Sequence, residues 1–196
     1  MGLRRSFDIT FAGGLTILTS PLMLAAAIGT YLSVGRPIFF KQERMGLDNK
    51  PFILKKFRSM NNKKDDEGNL LGNSQRTTKF GQILRATRID ELPQLFHVLD
   101  GTMSMSGPRA IPKEDFHPND ILRHKVKPGI TGLSQIRGYG IDTKLERSLT
   151  DTWYITQRLN NDSIKPDLLI IAKTPIAIIK NKGTSRKEHE APRAMI

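Results

Sequence analysis

Asp90 and Glu91, two adjacent carboxylates, are the residues whose type and spacing best suit catalysis. Arg85 and Arg88 closely precede them, so that two cations stand beside two anions. The start of a helix stabilises negative charge through its free N–H groups, which suits chemistry on an anionic substrate. We therefore place the predicted active site in the stretch 85–93.

A helix is the first element needed to position this pair. Apolar residues recur at helical spacing after the carboxylates, at Leu92, Leu95, Phe96 and Leu99. Asp100-Gly101 predicts the end of this helix, and Pro93 is expected in its first turn, which makes Asp90 or a residue just before it the N-cap. An Asp followed by Glu is also ordinary helix capping, worth about 1 kcal/mol, so capping without catalysis is the alternative interpretation.

Composition and charge narrow the class of protein. The chain has 196 residues, 38% of them hydrophobic and 26% charged, which is typical of one globular domain. Its net charge of +12 indicates a polyanionic partner: nucleic acid, an anionic membrane surface or phosphorylated substrates. The absence of cysteine excludes disulfides and thiolate metal sites. The four histidines show no ligand spacing, which argues against a catalytic zinc.

An uncharged segment from Ile9 to Gly35 predicts a membrane element, because a bilayer crossing needs about 20 apolar residues. Ser20-Pro21 lies near its middle, where proline bends a helix and Ser20 can satisfy freed backbone groups. Basic residues flank both ends, at Arg4, Arg5, Arg36, Lys41 and Arg44. By the positive-inside rule both flanks are cytoplasmic, which favours a re-entrant hairpin. A single-pass anchor with a proline kink is the alternative. A cleaved signal peptide is disfavoured, because no clear cleavage site of small residues follows the segment.

Short strands and helices follow the membrane segment. The runs 37–41 and 52–58, joined by a turn over 45–51, predict a hairpin in which Lys56 and Arg58 share one face. A helix is expected over 75–87, with Phe80, Ile83 and Leu84 inward, and strands over 102–105 and 133–136. The turns 106–109 and 128–132 are predicted to offer backbone N–H groups to phosphate oxygens, and Arg109 to add a clamp.

Six motifs in this order resemble those of the bacterial sugar transferases, the small monotopic phosphoglycosyl transferases that begin membrane glycoconjugate assembly. The motifs are Lys56–Met60, Phe80–Arg85, Asp90–Leu95, Met103–Arg109, Pro128–Gly132 and Asp151–Tyr154. The resemblance covers nearly the whole chain, including the Ser20-Pro21 break. The sequence is most similar to the minimal enzymes that consist of the catalytic domain alone, such as the bacillosamine-type phosphotransferases.

The resemblance implies a mixed α/β fold in three parts. A re-entrant membrane helix broken at Ser20-Pro21 is expected over 1–36 and a compact cytosolic catalytic domain over 37–182. That domain would combine helices, a small sheet and interfacial amphipathic helices, and a flexible basic tail would occupy 183–196. The implied location is the cytoplasmic face of the bacterial inner membrane.

The resemblance also implies a reaction: a sugar 1-phosphate passes from a UDP-sugar to polyprenyl (undecaprenyl) phosphate, releasing UMP, with Mg²⁺ required. Asp90 would be the nucleophile that forms a covalent phosphosugar, and Glu91 would be a Mg²⁺ ligand or proton acceptor. Asp90 would also belong to the metal site. A carboxylate can attack phosphorus when metal and arginines neutralise the phosphate oxygens. Cations at matching motif positions would hold the phosphates: Lys56, Arg85 and Arg109, with Arg88 added for its proximity alone.

Some positions depart from the family pattern. Pro108-Arg109-Ala110 stands where Pro-Arg-Pro is frequent, and Thr102 where an acidic residue is usual. The stretch 137–140, Arg-Gly-Tyr-Gly, replaces the common Asn-Gly-Arg-Asn, so Arg137 receives no family role. Nucleotide or sugar recognition at that loop is expected to differ.

Other interpretations concern the C-terminal part and other classes of protein. The apolar run 168–179, interrupted by Lys173 and Pro175, predicts either a helix along an anionic membrane interface or a buried core helix. A membrane-tethered nucleic-acid binder would use the charge, but the basic residues are scattered and no nucleic-acid signature occurs, so no nucleic-acid partner is expected. A non-catalytic scaffold would leave the carboxylate pair as capping only. The sequence does not name the sugar.

Overall fold

The computed structural model describes residues 2–115, 118–137, 144–161 and 163–180. Its α-helices are Leu3–Val34 (α1), Asn73–Arg76 (α2), Lys79–Thr87 (α3), Leu95–Asp100 (α4), Leu133–Ile136 (α5), Lys144–Asn160 (α6) and Lys165–Lys180 (α7). The strands are Phe39–Met45 (β1), Pro51–Phe57 (β2), Ser104–Ser106 (β3) and Gly129–Thr131 (β4), with 3₁₀ turns at Leu47–Asn49, Ile89–Gln94, Lys113–Asp115 and Pro118–Lys125. The predicted mixed α/β class is confirmed. The predicted tail, 183–196, lies outside the described residues.

Helix α1 is long and apolar enough to cross a membrane, and only 11% of its most apolar window is buried. The chain stays helical through Ser20 and Pro21. The prediction that the membrane helix is broken at these residues is therefore wrong. Pro21 has no N–H for the carbonyl of Ile17, four residues earlier. The Ser20 hydroxyl donates to that same carbonyl at 2.8 Å, which replaces the missing donor and lets the helix continue.

Both ends of α1 are bound to the rest of the chain. Near the N-terminus, Arg4 donates to the carbonyls of Asn161 and Ser163, both at 2.9 Å, and Arg5 to that of Leu99 at 2.7 Å. The Asp8 carboxylate accepts from the Met105 N–H at 2.9 Å and the Ser104 hydroxyl at 3.1 Å. Near the C-terminus, Ala26 and Thr30 are buried. The flanking arginines therefore bind protein carbonyls.

The predicted hairpin is confirmed as the antiparallel pair β1–β2, in which Phe40 pairs with Lys56 and Gln42 with Leu54. Strand β1 runs further than predicted, to Met45. Because side chains alternate along a strand, Phe40, Gln42 and Arg44 share one face with Leu54 and Lys56. We call this surface the site face of the hairpin.

Strands β3 and β4 form a parallel pair that corrects two predictions. The strand predicted at 133–136 is a one-turn helix, α5, and the strand precedes it at Gly129–Thr131. Gly107 and Gly129 approach so closely that a Cβ on Gly129 would lie 2.0 Å from the Gly107 nitrogen. The Gly107 N–H donates to Thr131 and the Gly129 N–H to Pro108. These N–H groups are occupied, so the predicted phosphate cradle does not form from them.

The helices before and after the predicted site differ from the expectation in detail. The predicted helix 75–87 is divided into α2 and α3, because Thr78 caps α3 by accepting the Gly81 N–H at 2.9 Å. Leu84 is buried and Phe80 packs beside it, but Ile83 is 57% exposed, so its predicted inward position is wrong. Phe96, also predicted on the apolar face, is exposed.

In the part of the chain that the structure describes, the core consists of three clusters of buried residues. Ala12 of α1 packs with Leu95, Val98 and Met105, and Ala26 of α1 packs with Phe57 and Leu84. A third cluster joins Val126, Tyr154, Ile155 and Ile170. Two of these clusters thus contain residues of α1, which makes that helix part of the domain.

Helix α7 presents apolar residues on both sides. Ile170 is buried in the core, whereas Leu169, Ile176 and Ile179 are exposed. The helix therefore packs on the domain and also carries an open apolar surface, and its predicted contact with a membrane interface stays a prediction.

Candidate active site

A tight turn between two helical segments places the carboxylate pair. Arg88 has a positive φ of 60° and ends α3. It is also the N-cap of the 3₁₀ turn Ile89–Gln94, in agreement with the prediction that Asp90 or a residue just before it caps the segment. Asp90 and Glu91 lie in the first turn of that segment. Pro93 follows within it, where its missing N–H prevents α-helical hydrogen bonding, and α4 begins at Leu95.

Asp90 is a buried carboxyl group with an unpaired oxygen. The residue is 5% exposed, and Oδ1 has no hydrogen-bond partner among the described residues. Burial, assisted by the charge of Glu91, raises the pKa of Asp90 to about 6, although Lys56, Arg88 and Arg85 oppose the shift. Most Asp90 side chains are thus ionised at neutral pH, and Oδ1 lacks a hydrogen bond that would reduce its reactivity.

Glu91, unlike Asp90, has charged partners for its carboxylate. Its Oε1 is 3.2 Å from Nη2 of Arg109 and 3.5 Å from Nη1 of Arg88. Burial by itself would raise the pKa of Glu91, but Arg109, Arg88 and Lys56 outweigh it and lower the pKa. Glu91 is therefore an anion at neutral pH that holds two arginines beside Asp90.

Lys56 extends toward the carboxylates from the site face of the hairpin. Burial lowers its pKa, although Asp90 and Glu91 act in the opposite direction. Its Nζ lies 5.1 Å from the centre of the Phe40 ring, within the range of a cation–π contact. The structure thus brings Lys56 to the carboxylate pair, as predicted.

The predicted arginines divide into two groups. Arg109, together with Lys56 and Glu91, lines a cavity between the hairpin, the 3₁₀ segment and β4. Arg85 and Arg88 are not among its lining residues, but their charges act on Asp90. Arg109 therefore lines the cavity with Lys56 and Glu91. Asp90 is not among the lining residues, and Arg85 and Arg88 act on its charge.

Arg44 is a cavity residue that sequence reasoning treated only as a basic flank. Its Nη1 donates to the Ala110 carbonyl at 2.8 Å and its Nη2 to Gln42 at 2.6 Å. Burial and the neighbouring charge of Arg109 lower the pKa of Arg44 to about 10, so it stays cationic at neutral pH. Its buried Nε has no partner among the described residues. The alternation along β1, which puts Arg44 on the same face as Phe40, was the signal that could have identified it.

Gln135 is a second residue that sequence reasoning missed. It lines the same cavity, and its buried Oε1 has no hydrogen-bond partner in the described parts of the chain. Its helix, α5, was predicted as a strand, so the direction of its side chain could not be anticipated. Of the divergent stretch 137–140, only Arg137 falls within the described residues.

Asp90 and Glu91 are also the residues that could hold a metal. In the described ranges no three or more His, Cys, Asp or Glu side chains gather in one place. Mg²⁺ is commonly held by one or two protein carboxylates together with substrate phosphates and water. The unpaired oxygen of Asp90 beside the Glu91 carboxylate fits that donor set.

The chain is similar to a family of known proteins along nearly its whole length. A family model described as Bacterial sugar transferase matches residues 1–181. The uncharacterized sugar transferase EpsL of Bacillus subtilis is 40% identical over 193 residues, which cover 96% of this chain and 93% of that protein. The exopolysaccharide production protein PSS of Rhizobium leguminosarum is 35% identical over 199 residues, which cover 92% of this chain and 98% of the relative.

A larger relative carries a more specific name. The UDP-glucose:undecaprenyl-phosphate glucose-1-phosphate transferase of Klebsiella pneumoniae is 40% identical over 192 residues. The match covers 93% of this chain but only 41% of that protein, so this chain spans about two fifths of its length. The family match over residues 1–181 shows that the chain belongs to the bacterial sugar transferases.

Proposed function

We propose that this protein transfers a sugar 1-phosphate from a UDP-sugar to polyprenyl phosphate and releases UMP. The observation that carries the proposal is the unpaired, buried Asp90 carboxylate, with a pKa of about 6, beside Lys56 and the Arg109–Glu91 ion pair. The name of the Klebsiella relative describes such a transfer for UDP-glucose and undecaprenyl phosphate. Anionic substrates also suit the net charge of +12.

In the first half of the reaction, a carboxylate oxygen of Asp90 attacks the phosphorus that bears the sugar. A bond forms between that oxygen and phosphorus, the bond from phosphorus to the bridging oxygen breaks, and UMP leaves with the electron pair. Lys56 and Arg109 face the negative charge that this step concentrates on the phosphate oxygens. Glu91 contributes by holding Arg109 in position.

In the second half, a phosphate oxygen of polyprenyl phosphate attacks the same phosphorus atom. A new phosphorus–oxygen bond joins lipid and sugar phosphates, and the bond to Asp90 breaks with return of the electron pair to the carboxylate. The Asp90 carboxylate is regenerated without net proton transfer. Two sequential displacements at one carboxylate predict ping-pong kinetics.

Asp90 and Glu91 would hold Mg²⁺ in the same site. When bound, this ion would supply further neutralisation of the phosphate oxygens. The two carboxylates are adjacent in sequence, and Glu91 is engaged by Arg109 and Arg88. The Oδ1 atom of Asp90 would therefore be the ligand that has no partner among the described residues.

We further propose that α1 is re-entrant and that the catalytic domain lies on the cytoplasmic face of the inner membrane. Asp8 and Ala26 both contact the domain, although the 18 residues of helix from one to the other span about 27 Å, close to the thickness of the bilayer hydrocarbon. A helix crossing the membrane would place these two residues on opposite sides. Docking of both ends on one domain therefore favours entry and exit on the same side, and the exposed apolar residues of α7 would rest on that interface.

The topology can be tested with single cysteines, because the chain has none. Ser6→Cys and Lys41→Cys would be treated with an impermeant thiol reagent, first in intact cells and then after lysis. Protection of both positions in intact cells is expected. Labelling of only one position from outside would support the single-pass alternative.

The transfer can be tested by UMP release from purified protein supplied with undecaprenyl phosphate, Mg²⁺ and a panel of UDP-sugars. Release is expected with one or a few sugars and should be abolished by Asp90→Asn. Asp100→Asn is the matched control, because Asp100 is an exposed carboxylate at the end of the next helix. Release that persists in Asp90→Asn, or is absent from the wild type with every sugar, would contradict the proposal.

A further inference from the structure

Phe40 is a partly open aromatic residue on the site face of the hairpin. It is 39% exposed, pairs with Lys56 across the strands, and has its ring 5.1 Å from the Lys56 ammonium. An exposed phenyl ring beside an active-site cation offers apolar surface next to positive charge. That combination matches a ligand whose phosphate is attached directly to a hydrocarbon.

The site face has two chemically different ends. Strand β1 begins five residues after α1 ends at Val34, so Phe40 lies at the end that is joined to the apolar helix. Arg44 follows four residues later, about 13 Å further along the strand. There it binds Ala110 and lies close enough to Arg109 for the charges to interact. The Phe40 end thus presents an exposed aromatic ring beside Lys56, and the other end presents two arginines, Arg44 and Arg109.

We propose that Phe40 is an acceptor-binding residue, which contacts the first isoprene unit of polyprenyl phosphate while Lys56 receives its phosphate. The proposal rests on the transferase function proposed above. The UDP-sugar would then enter from the Arg44–Arg109 end, where two cations suit a diphosphate. In an in-line second displacement the lipid phosphate oxygen takes the position that the UMP oxygen has left, with the isoprene chain directed toward Phe40.

A second role for Phe40 would act through Lys56 alone. A cation–π contact holds an ammonium group in place, and its loss would misplace Lys56 in both halves of the reaction. A leucine at this position separates the two roles, because it keeps apolar surface for a lipid but has no ring for the cation. The two half-reactions can be measured separately, since kcat/KM for each substrate reports its own half in a ping-pong mechanism.

The experiment compares the wild type with Phe40→Ala and Phe40→Leu, using purified full chain, undecaprenyl phosphate and the UDP-sugar found in the panel. Phe40→Ala is expected to lower kcat/KM for undecaprenyl phosphate about fivefold, because the lipid would cover roughly two fifths of the ring. kcat/KM for the UDP-sugar and the burst of UMP without acceptor should stay at wild-type values. Phe40→Leu should retain most of the acceptor kcat/KM.

Ile53→Ala is the matched control, because Ile53 is 47% exposed on the opposite face of the same hairpin. It should change neither kcat/KM value. A Phe40→Ala loss shared by both substrates, equal losses in the alanine and leucine variants, or an unchanged acceptor value would each overturn the inference while leaving the transferase function intact. Absence of a UMP burst from the wild type would instead overturn the proposed function, and this inference with it.

Discussion

Asp90→Asn is expected to stabilise the folded protein while it abolishes transfer. Burial and Glu91 raise the pKa of Asp90 to about 6 from its ordinary value of 3.8, against the opposing charges of Lys56, Arg88 and Arg85. Because one pKa unit corresponds to about 1.4 kcal/mol, the ionised carboxylate lowers the free energy of unfolding at neutral pH by about 3 kcal/mol. An uncharged amide removes that penalty, and leaving it without hydrogen bonds costs about 1 kcal/mol.

The stabilisation has a definite pH dependence. The folded-state pKa of Asp90 lies above the unfolded-state value, so the native state holds the proton more tightly and loses stability as pH rises from about 4 to about 6. The penalty of about 3 kcal/mol above pH 7 falls to about 1 kcal/mol at pH 4.5. Asp90→Asn should therefore raise Tm by several degrees at pH 7.5 and by little at pH 4.5.

Thermal unfolding of the purified protein in detergent at these two pH values is the assay. Asp100→Asn is again the control: burial would raise the pKa of Asp100, but hydrogen bonds from Thr102 lower it. Loss of that ionised carboxylate should slightly destabilise the protein at neutral pH. A lower Tm for Asp90→Asn at pH 7.5, or a gain that is the same at both pH values, would refute the reasoning.

The other predictions concern the charges of the site and the proline of α1. UMP release should fall with one-proton dependence below about pH 6 as Asp90 is protonated, and Glu91→Gln should move that limb to lower pH, which a pH–rate profile measures. Arg109→Gln should lower kcat/KM for the UDP-sugar by tenfold or more in steady-state assays, because the variant loses roughly one charge-assisted phosphate contact. A value within twofold of the wild type would contradict the role of Arg109. Ser20→Ala should lower the free energy of unfolding by about 1 kcal/mol, because it leaves a carbonyl without a donor. Thr19→Ala should have a smaller effect on the same melting curves. The Leu15 carbonyl that the Thr19 hydroxyl binds keeps its regular helical N–H donor.

Local patterns in the sequence were sufficient for several parts of the site. Strand alternation and a turn of seven residues predicted the hairpin that carries Lys56. The Asp90-Glu91 pair predicts a place for chemistry because two carboxylates and two arginines lie within seven residues. These features depend on neighbours along the chain, so a sequence displays them directly.

Long-range contacts decided the features that were mispredicted or missed. Arg4 binds carbonyls more than 150 residues away, and Arg44 binds the carbonyl of Ala110, which no local pattern reveals. The run 133–136 is four residues long, too short for its period to separate strand from helix. The strand formed before it, at Gly129, because only glycine permits the close approach to Gly107.

The measurement that tests the central claim most directly is the intact mass of the protein after incubation with its UDP-sugar and Mg²⁺ in the absence of polyprenyl phosphate. If Asp90 is the nucleophile, the protein gains the mass of one sugar phosphate, located on the peptide that contains Asp90. The added mass should be absent from Asp90→Asn and should be removed by addition of polyprenyl phosphate. Turnover without any adduct, or an adduct on another residue, would contradict the assignment of Asp90 as the nucleophile.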